Sequence, residues 1–296
     1  MNGAIEPDAG PAMMPVYLHY TQSELDRAFD QTQWASNMKD LVARWAETSR
    51  SVRDNEPRME TRRYGAGANE DLQIFPAEDR DRPIQVFIHG GEWKRRDNLG
   101  TAFPALSLVP AGFNFVNLNF EAVPNVTIPE MLDQVQRAVV WIYRNARDFG
   151  ADPDAIHLSG HSSGAHLAAV LATTEWEKFG VPADILKSVA CIGGLYDMEP
   201  VLLSMRRAWV KLTAEEADRL SPLYHVDRIR APVAVVYGGN ESPEFRRQAL
   251  AFHHALLAAG KRSDLTEMPG QNHFEVLDAL HHPGSRLLRI LAANAG

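Results

Sequence analysis

At Gly160-His161-Ser162-Ser163-Gly164 the chain passes from an apolar run, Ala155 to Ser159, straight into a helical stretch, Ala165 to Leu171. The pattern G-x-S-x-G between a strand and a helix predicts a sharp, strained turn that lifts the central serine above a sheet. Glycines two residues before and after Ser162 carry no Cβ, so strand and helix can pass close together beside it. By this register Ser162 is the candidate nucleophile. Ser163 opens the helix, and its backbone N–H stands at the positive dipole end, facing a developing oxyanion.

Around this turn, short β-branched runs alternate with helical stretches. The strands are predicted at Met59 to Tyr64, Asp71 to Phe75, Ile84 to His89, Phe115 to Asn119, Ala155 to Ser159, Leu186 to Ile192, Val233 to Gly238 and Asp264 to Met268. Helices are predicted at Pro104 to Val109, Ile128 to Phe149, Ala165 to Leu171, Ser242 to Ala259 and Gly284 to Ala293. The inner strands IQVFIHG, IHLSG and VAVVYGG are almost continuously apolar, as a sheet covered by helices on both faces requires. The expected architecture is therefore α/β, a mostly parallel sheet of about eight strands with its site at the carboxyl ends of the strands. Before the first strand, Leu25, Phe29, Trp34, Met38, Leu41, Val42 and Trp45 recur at helical spacing, with Ser23 a candidate cap. Residues 1–15, rich in Gly, Pro and Ala, are expected to be disordered. Residues 16–296 form one domain, of which 16–55 is a helical lid near the site.

Composition narrows the class of function. A net charge of -8 and a basic run broken at Lys94-Arg95-Arg96-Asp97 argue against a nucleic-acid partner. The single cysteine, Cys191, cannot form an internal disulfide and lies in an apolar run as a small buried hydrophobe. The N-terminus has neither the basic nor the apolar region of a signal peptide, and no stretch reaches the roughly 18 apolar residues of a membrane span. A cytoplasmic protein with a small-molecule substrate and no membrane or nucleic-acid partner is expected, with a homodimer as the candidate oligomeric state. Neither H-E-x-x-H nor a Cys/His cluster is present, so no metal and no cofactor are expected.

A serine hydroxyl needs a general base, and the base needs an acid to orient it. Eleven histidines compete. His273 lies in a Gly-containing loop after the last strand and before the last helix, where the base should sit, whereas His161 and His166 flank the serine on its own turn and helix. For the acid, Glu241 is the first carboxylate past the strand VAVVYGG, with Ser242 capping the next helix and Glu244 a capping-box partner. Asp197 in GGLYDMEP is the rival. Upstream, FIHGGEW supplies a loop in which Gly90 and Gly91 can turn bare amides toward a carbonyl oxygen, with His89 bonding the loop.

Taken together, HGGEW, GHSSGAHLAA, GGLYDMEP, ESPEFRRQ and GQNHFEV resemble the kynurenine formamidase (arylformamidase) branch of the α/β-hydrolases, from about Tyr64 to the end. The resemblance implies a catalytic triad of Ser162, Glu241 and His273, and hydrolysis of N-formyl-L-kynurenine to L-kynurenine and formate in tryptophan breakdown. Members usually carry Asp at 241, Ala at 163 and an aromatic residue at 92. The carboxylate of Glu92 beside the oxyanion loop is thus a candidate partner for a cationic amine. Trp34 and Trp45 of the lid, together with Trp93, are candidates for covering the site and stacking on an aryl group, with a plain core role the alternative for Trp45. The alternative functions are a carboxylesterase of short-chain or aryl esters and another catabolic amide hydrolase using the same triad.

Overall fold

The computed structural model describes residues 14–94 and 98–294. Most of the segment expected to be disordered, and Arg95 to Asp97 of the broken basic run, lie outside the described residues.

Eight strands form one sheet: β1 (Glu60–Arg63), β2 (Asp71–Phe75), β3 (Arg82–Ile88), β4 (Asn114–Leu118), β5 (Ala151–His161), β6 (Leu186–Ile192), β7 (Val233–Gly238) and β8 (Ser263–Met268). Their spatial order is β1-β2-β4-β3-β5-β6-β7-β8. β2 pairs antiparallel with β1 and β4, and every later pairing is parallel. Parallel neighbours need crossovers, and helices supply them. Helices α1 (Gln22–Phe29) and α2 (Met38–Asn55) precede the sheet, the crossovers are α3 (Ala105–Leu108), α4 (Ile128–Asn145), α5 (Ser163–Ala172), α6 (Glu199–Leu203), α7 (Ala214–Arg219) and α8 (Pro243–Ala258), and α9 (His273–Asp278) and α10 (Arg286–Asn294) follow it. The short α6 and α7 fall in a stretch whose apolar spacing predicts no element.

Why the inner strands are almost continuously apolar is visible in how they divide between two cores. Ile84, Val86 and Ile88 of β3, with Val189 and Cys191 of β6, face the core built on α4, α5 and α8. Phe87, Ala190 and Ile192 face the opposite core, built on α2, α3, α9 and α10. The period of two assigns alternate residues to opposite faces, and both faces are dry. Each buried Phe or Leu contributes about 1.5–3 kcal/mol through removal from water. Cys191 is fully buried, and that burial pushes its thiol up to about 12.

Two local expectations need correction. The first helix is capped by Thr21, not Ser23: Thr21 and Glu24 form a capping box, because Thr21 has the extended backbone a cap requires. Ser242 caps α8 as expected, but Glu244 is not its capping-box partner. It is buried, paired with Arg247 at 2.7 Å and accepting from Gln248 at 2.9 Å. The N-terminal helices pack on later helices: α1 on α6 and α8, and α2 on α9.

Candidate active site

Ser162 stands between β5 and α5 with φ 58° and ψ -124°. A non-glycine residue at positive φ is strained, and the strain persists only where surroundings enforce it. Here the Ser162 N–H donates to Ile192 O at 2.9 Å, and its carbonyl accepts from the Ala165 N–H at 2.9 Å. The flanking glycines are sterically obligatory. A Cβ on Gly160 would meet Gly164 O at 2.2 Å, and one on Gly164 would meet Ile88 O at 2.1 Å.

The loop after β3 lies directly against this turn. A Cβ on Gly90 would stand 2.7 Å from His161 O and 2.9 Å from the Ser162 Cβ, so only glycine allows the approach. Gly91 has φ 126°, a conformation side chains rarely adopt. His89 stacks on Phe120 at 4.4 Å and donates through Nδ1 to Gly90 O at 2.9 Å, bracing the loop. Ser163 is the first residue of α5, whose opening N–H groups have no intrahelical acceptor. Its hydroxyl accepts from the Trp93 N–H at 3.3 Å, tying loop to helix.

His273 opens α9, held by the Asn272 cap, and its Nδ1–H donates to Glu241 Oε1 at 2.8 Å. Both side chains are buried. Gly193 makes room for the pair: at φ 56°, a Cβ there would stand 2.6 Å from Glu241 Oε1 and 2.9 Å from His273 Nδ1. Burial holds the His273 imidazole down to about 3, with Arg206 acting in the same direction and Glu92 against it. The ring is therefore neutral at pH 7 and able to accept a proton. Burial likewise pushes the Glu241 carboxyl above its ordinary range. The rival carboxylate is engaged elsewhere: Asp197 Oδ2 accepts from Tyr17 at 3.0 Å and Oδ1 from the Glu199 N–H at 3.0 Å.

A cavity of about 320 Å³ opens over the turn, with Gly90, Gly91, Glu92, Ser162 and His273 in its wall. Its apolar side is formed by Met38, Val42, Trp45, Phe274 and Leu277. Of the three candidate tryptophans, Trp45 lines it and Trp34 and Trp93 do not. Trp34 is half-buried and donates to Arg27 O at 3.0 Å with the Arg27 guanidinium over its ring, although Gln31 and Thr32 of the turn just before it line the cavity. Trp93 is 2 % exposed, a core residue whose indole donates to His166 Nδ1 at 3.3 Å. Trp45 in the wall is stacked on Phe103 at 5.4 Å and anchored to Asp278 at 2.8 Å. Helical spacing marks Trp45 as apolar-face but says nothing of which cavity that face meets. Arg206, also in the wall, belongs to a stretch with no sequence signal at all. Among the described residues no group of three or more His, Cys, Asp or Glu is placed to hold a metal ion. No helix among them is long and apolar enough to cross a membrane.

The parallel sheet, the strained serine turn and the buried His–Glu pair define an α/β-hydrolase. The chain belongs to the BD-FAE family, whose description matches residues 71–256. It is 28% identical to the kynurenine formamidase of Salmo salar, over 93% of this chain and 97% of that protein. It is 29% identical to esterase LipQ of Mycobacterium tuberculosis, over 71% of this chain and 55% of that protein. A solved structure from Silicibacter sp. tm1040 superposes with a TM-score of 0.79 at 27% identity, covering 90% of this chain and 98% of the other. The chain is accordingly an enzyme of the hydrolase class, with formyl or ester substrates.

Proposed function

We propose that this hydrolase cleaves an aryl formamide, N-formyl-L-kynurenine, to L-kynurenine and formate in tryptophan catabolism. The observation that carries the reading is coverage. Identity with the Salmo salar formamidase and with LipQ is nearly equal, but the formamidase alignment takes in 93% of this chain and 97% of that protein, against 71% and 55% for the esterase. With 93% of this chain aligned, the formamidase likeness extends into the N-terminal helices, from which Met38, Val42 and Trp45 wall the cavity.

The chemistry that suits these residues is acyl transfer through a Ser162–His273–Glu241 triad. Ser162 Oγ adds to the formyl carbonyl while His273 Nε2 takes the hydroxyl proton, and Glu241 holds the imidazolium through Nδ1–H. The N–H groups of Gly90, Gly91 and Ser163 are the donors for the oxyanion. Collapse breaks the C–N bond, His273 hands its proton to the departing aniline nitrogen, and a formyl ester remains on Ser162. Water adds to that ester with His273 again as base, releasing formate and restoring the serine hydroxyl. Glu92 and the apolar wall of Trp45 and Phe274 are the candidates for holding the leaving group.

The test is kcat/KM for N-formyl-L-kynurenine against p-nitrophenyl acetate and butyrate, with Ser162→Ala as blank. A preference for the formamide, and loss of roughly four to six orders of magnitude in the variant, are expected. Ester cleavage without formamide turnover would move the chain to the carboxylesterases. Activity of the Ser162→Ala protein near wild type would remove the serine from the mechanism.

A further inference from the structure

Arg206 is the one large charged side chain buried in the cavity wall. It is 1 % exposed and follows α6 in a short 3-10 turn, Met205–Ala208. Its Nη2 donates to Phe29 O, the carbonyl at the C-terminus of α1, at 2.8 Å. The negative end of that helix offsets part of the charge. The guanidinium also lies over the rings of Phe29, Trp93 and Phe245, at 5.4, 5.9 and 5.6 Å. These contacts do not exhaust it: Nε and Nη1 are buried without a hydrogen-bond partner.

Among the described residues the carboxylate within ion-pair distance is a loose partner, and Asp30 acts on the guanidinium only from farther off. Glu92 Oε1 stands 3.5 Å from Nη2, and the other oxygen of Glu92 is held by Lys94 Nζ at 2.8 Å. The Glu92 side chain is about a third exposed, whereas Arg206 is sealed from solvent. A buried guanidinium with two idle donors and a shared, half-solvated counter-ion is costly unless something else completes its shell. Arginine's fork matches a planar carboxylate at two points.

We propose that Arg206 is the substrate-carboxylate receptor of this cavity, so that the enzyme selects substrates bearing a free carboxylate over their neutral counterparts. The substrate carboxylate takes the place that Glu92 holds at 3.5 Å, and Glu92 stays with Lys94. The selectivity rests on the hydrolase reading of the site, and deepens it by naming a charge that the substrate must carry. It also explains why a cavity with so apolar a wall keeps a cation beside its oxyanion loop.

The experiment compares kcat/KM within matched pairs, so that it does not depend on formamide turnover. One pair is N-formyl-L-kynurenine and its methyl ester. A second is 3-acetoxybenzoate and methyl 3-acetoxybenzoate, with the carboxylate on the leaving group. A third is the p-nitrophenyl monoester of succinate and p-nitrophenyl butyrate, with the carboxylate on the acyl group. In wild-type enzyme at least one acid is expected to exceed its neutral partner by about tenfold or more, the worth of a charge-assisted hydrogen bond. In Arg206→Gln the ratio should fall toward one, and Arg206→Lys should restore part of it. Circular dichroism of each variant reports folding, and because the readout is a ratio, a general loss of rate does not mimic it. The proposal is overturned if no pair favours the acid, or if the preference survives in Arg206→Gln. Inert formamides beside a selective ester pair would sink the formamidase reading and leave Arg206 in its role.

Discussion

His161, the residue before the candidate nucleophile, donates through Nε2–H to the backbone carbonyl of His273 at 2.8 Å. The two rings lie 4.5 Å apart, and burial keeps His161 neutral by pulling it down to about 3. One histidine thereby fixes the height of the other's main chain relative to the serine turn. As a positioning residue it acts on kcat: His161→Ala should lower kcat by about 100-fold, the cost of a misplacement near 1 Å, with a smaller change in KM. His161→Gln, which keeps a donor, should recover part of the loss. Equal rates for the two variants would refute the positioning role.

The two carboxylates considered for the acid make opposite predictions. Glu241→Ala strips His273 of its partner at 2.8 Å and should cost about 10⁴ in kcat, with thermal stability changed much less in proportion. Asp197→Ala releases Tyr17 and the turn at Glu199, so it should lower the melting temperature and leave kcat within about threefold. Steady-state kinetics paired with thermal melts decide the matter, and a larger kcat loss in Asp197→Ala would reverse the assignment.

Gly193 gives a steric test of the same pair. In Gly193→Ala the new Cβ would press on Glu241 Oε1 at 2.6 Å, and the backbone would hold alanine at φ 56°. The left-handed conformation alone costs about 1–2 kcal/mol, so most of the protein should still fold. Separation of the carboxylate from the imidazole should lower kcat by at least about 100-fold. A folded variant with normal kcat would show that the Glu241–His273 contact is not needed.

The pH dependence follows from burial. The base works neutral, and burial lowers His273 to about 3, which widens the neutral range toward acid. The acid limb of kcat/KM should therefore lie well below the usual imidazole value of about 6.5. A limb at or above that value would contradict the argument. Stability moves with the same sign. His157 and His166 are lowered to about 4 by burial, so their contribution is complete above the unfolded value and is lost as pH falls toward 4. The melting temperature should drop between about pH 6.5 and pH 4, and His157→Gln should flatten that slope.

What the sequence determined by itself was whatever depends on neighbours along the chain. Strand β6 and strand β7 match the predicted Leu186 to Ile192 and Val233 to Gly238, because an apolar run bounded by turn residues has one economical conformation in a covered sheet. The serine turn was legible for the same reason, since its glycines and strand-to-helix setting are contiguous. The positions of Glu241 and His273 after β7 and β8 could be argued from topology, as could the glycine loop after β3. Tertiary structure alone decided what surrounds them. It put Trp45 in the cavity wall and took Trp34 and Trp93 out of it, since periodicity names the apolar face of a helix but not the surface it meets. It committed Asp197 to Tyr17, 180 residues away in the chain. It also buried Arg206 among Phe29, Trp93 and Phe245, four residues brought together from distant segments. Long-range packing sets which charges lose their water, and no local pattern records that.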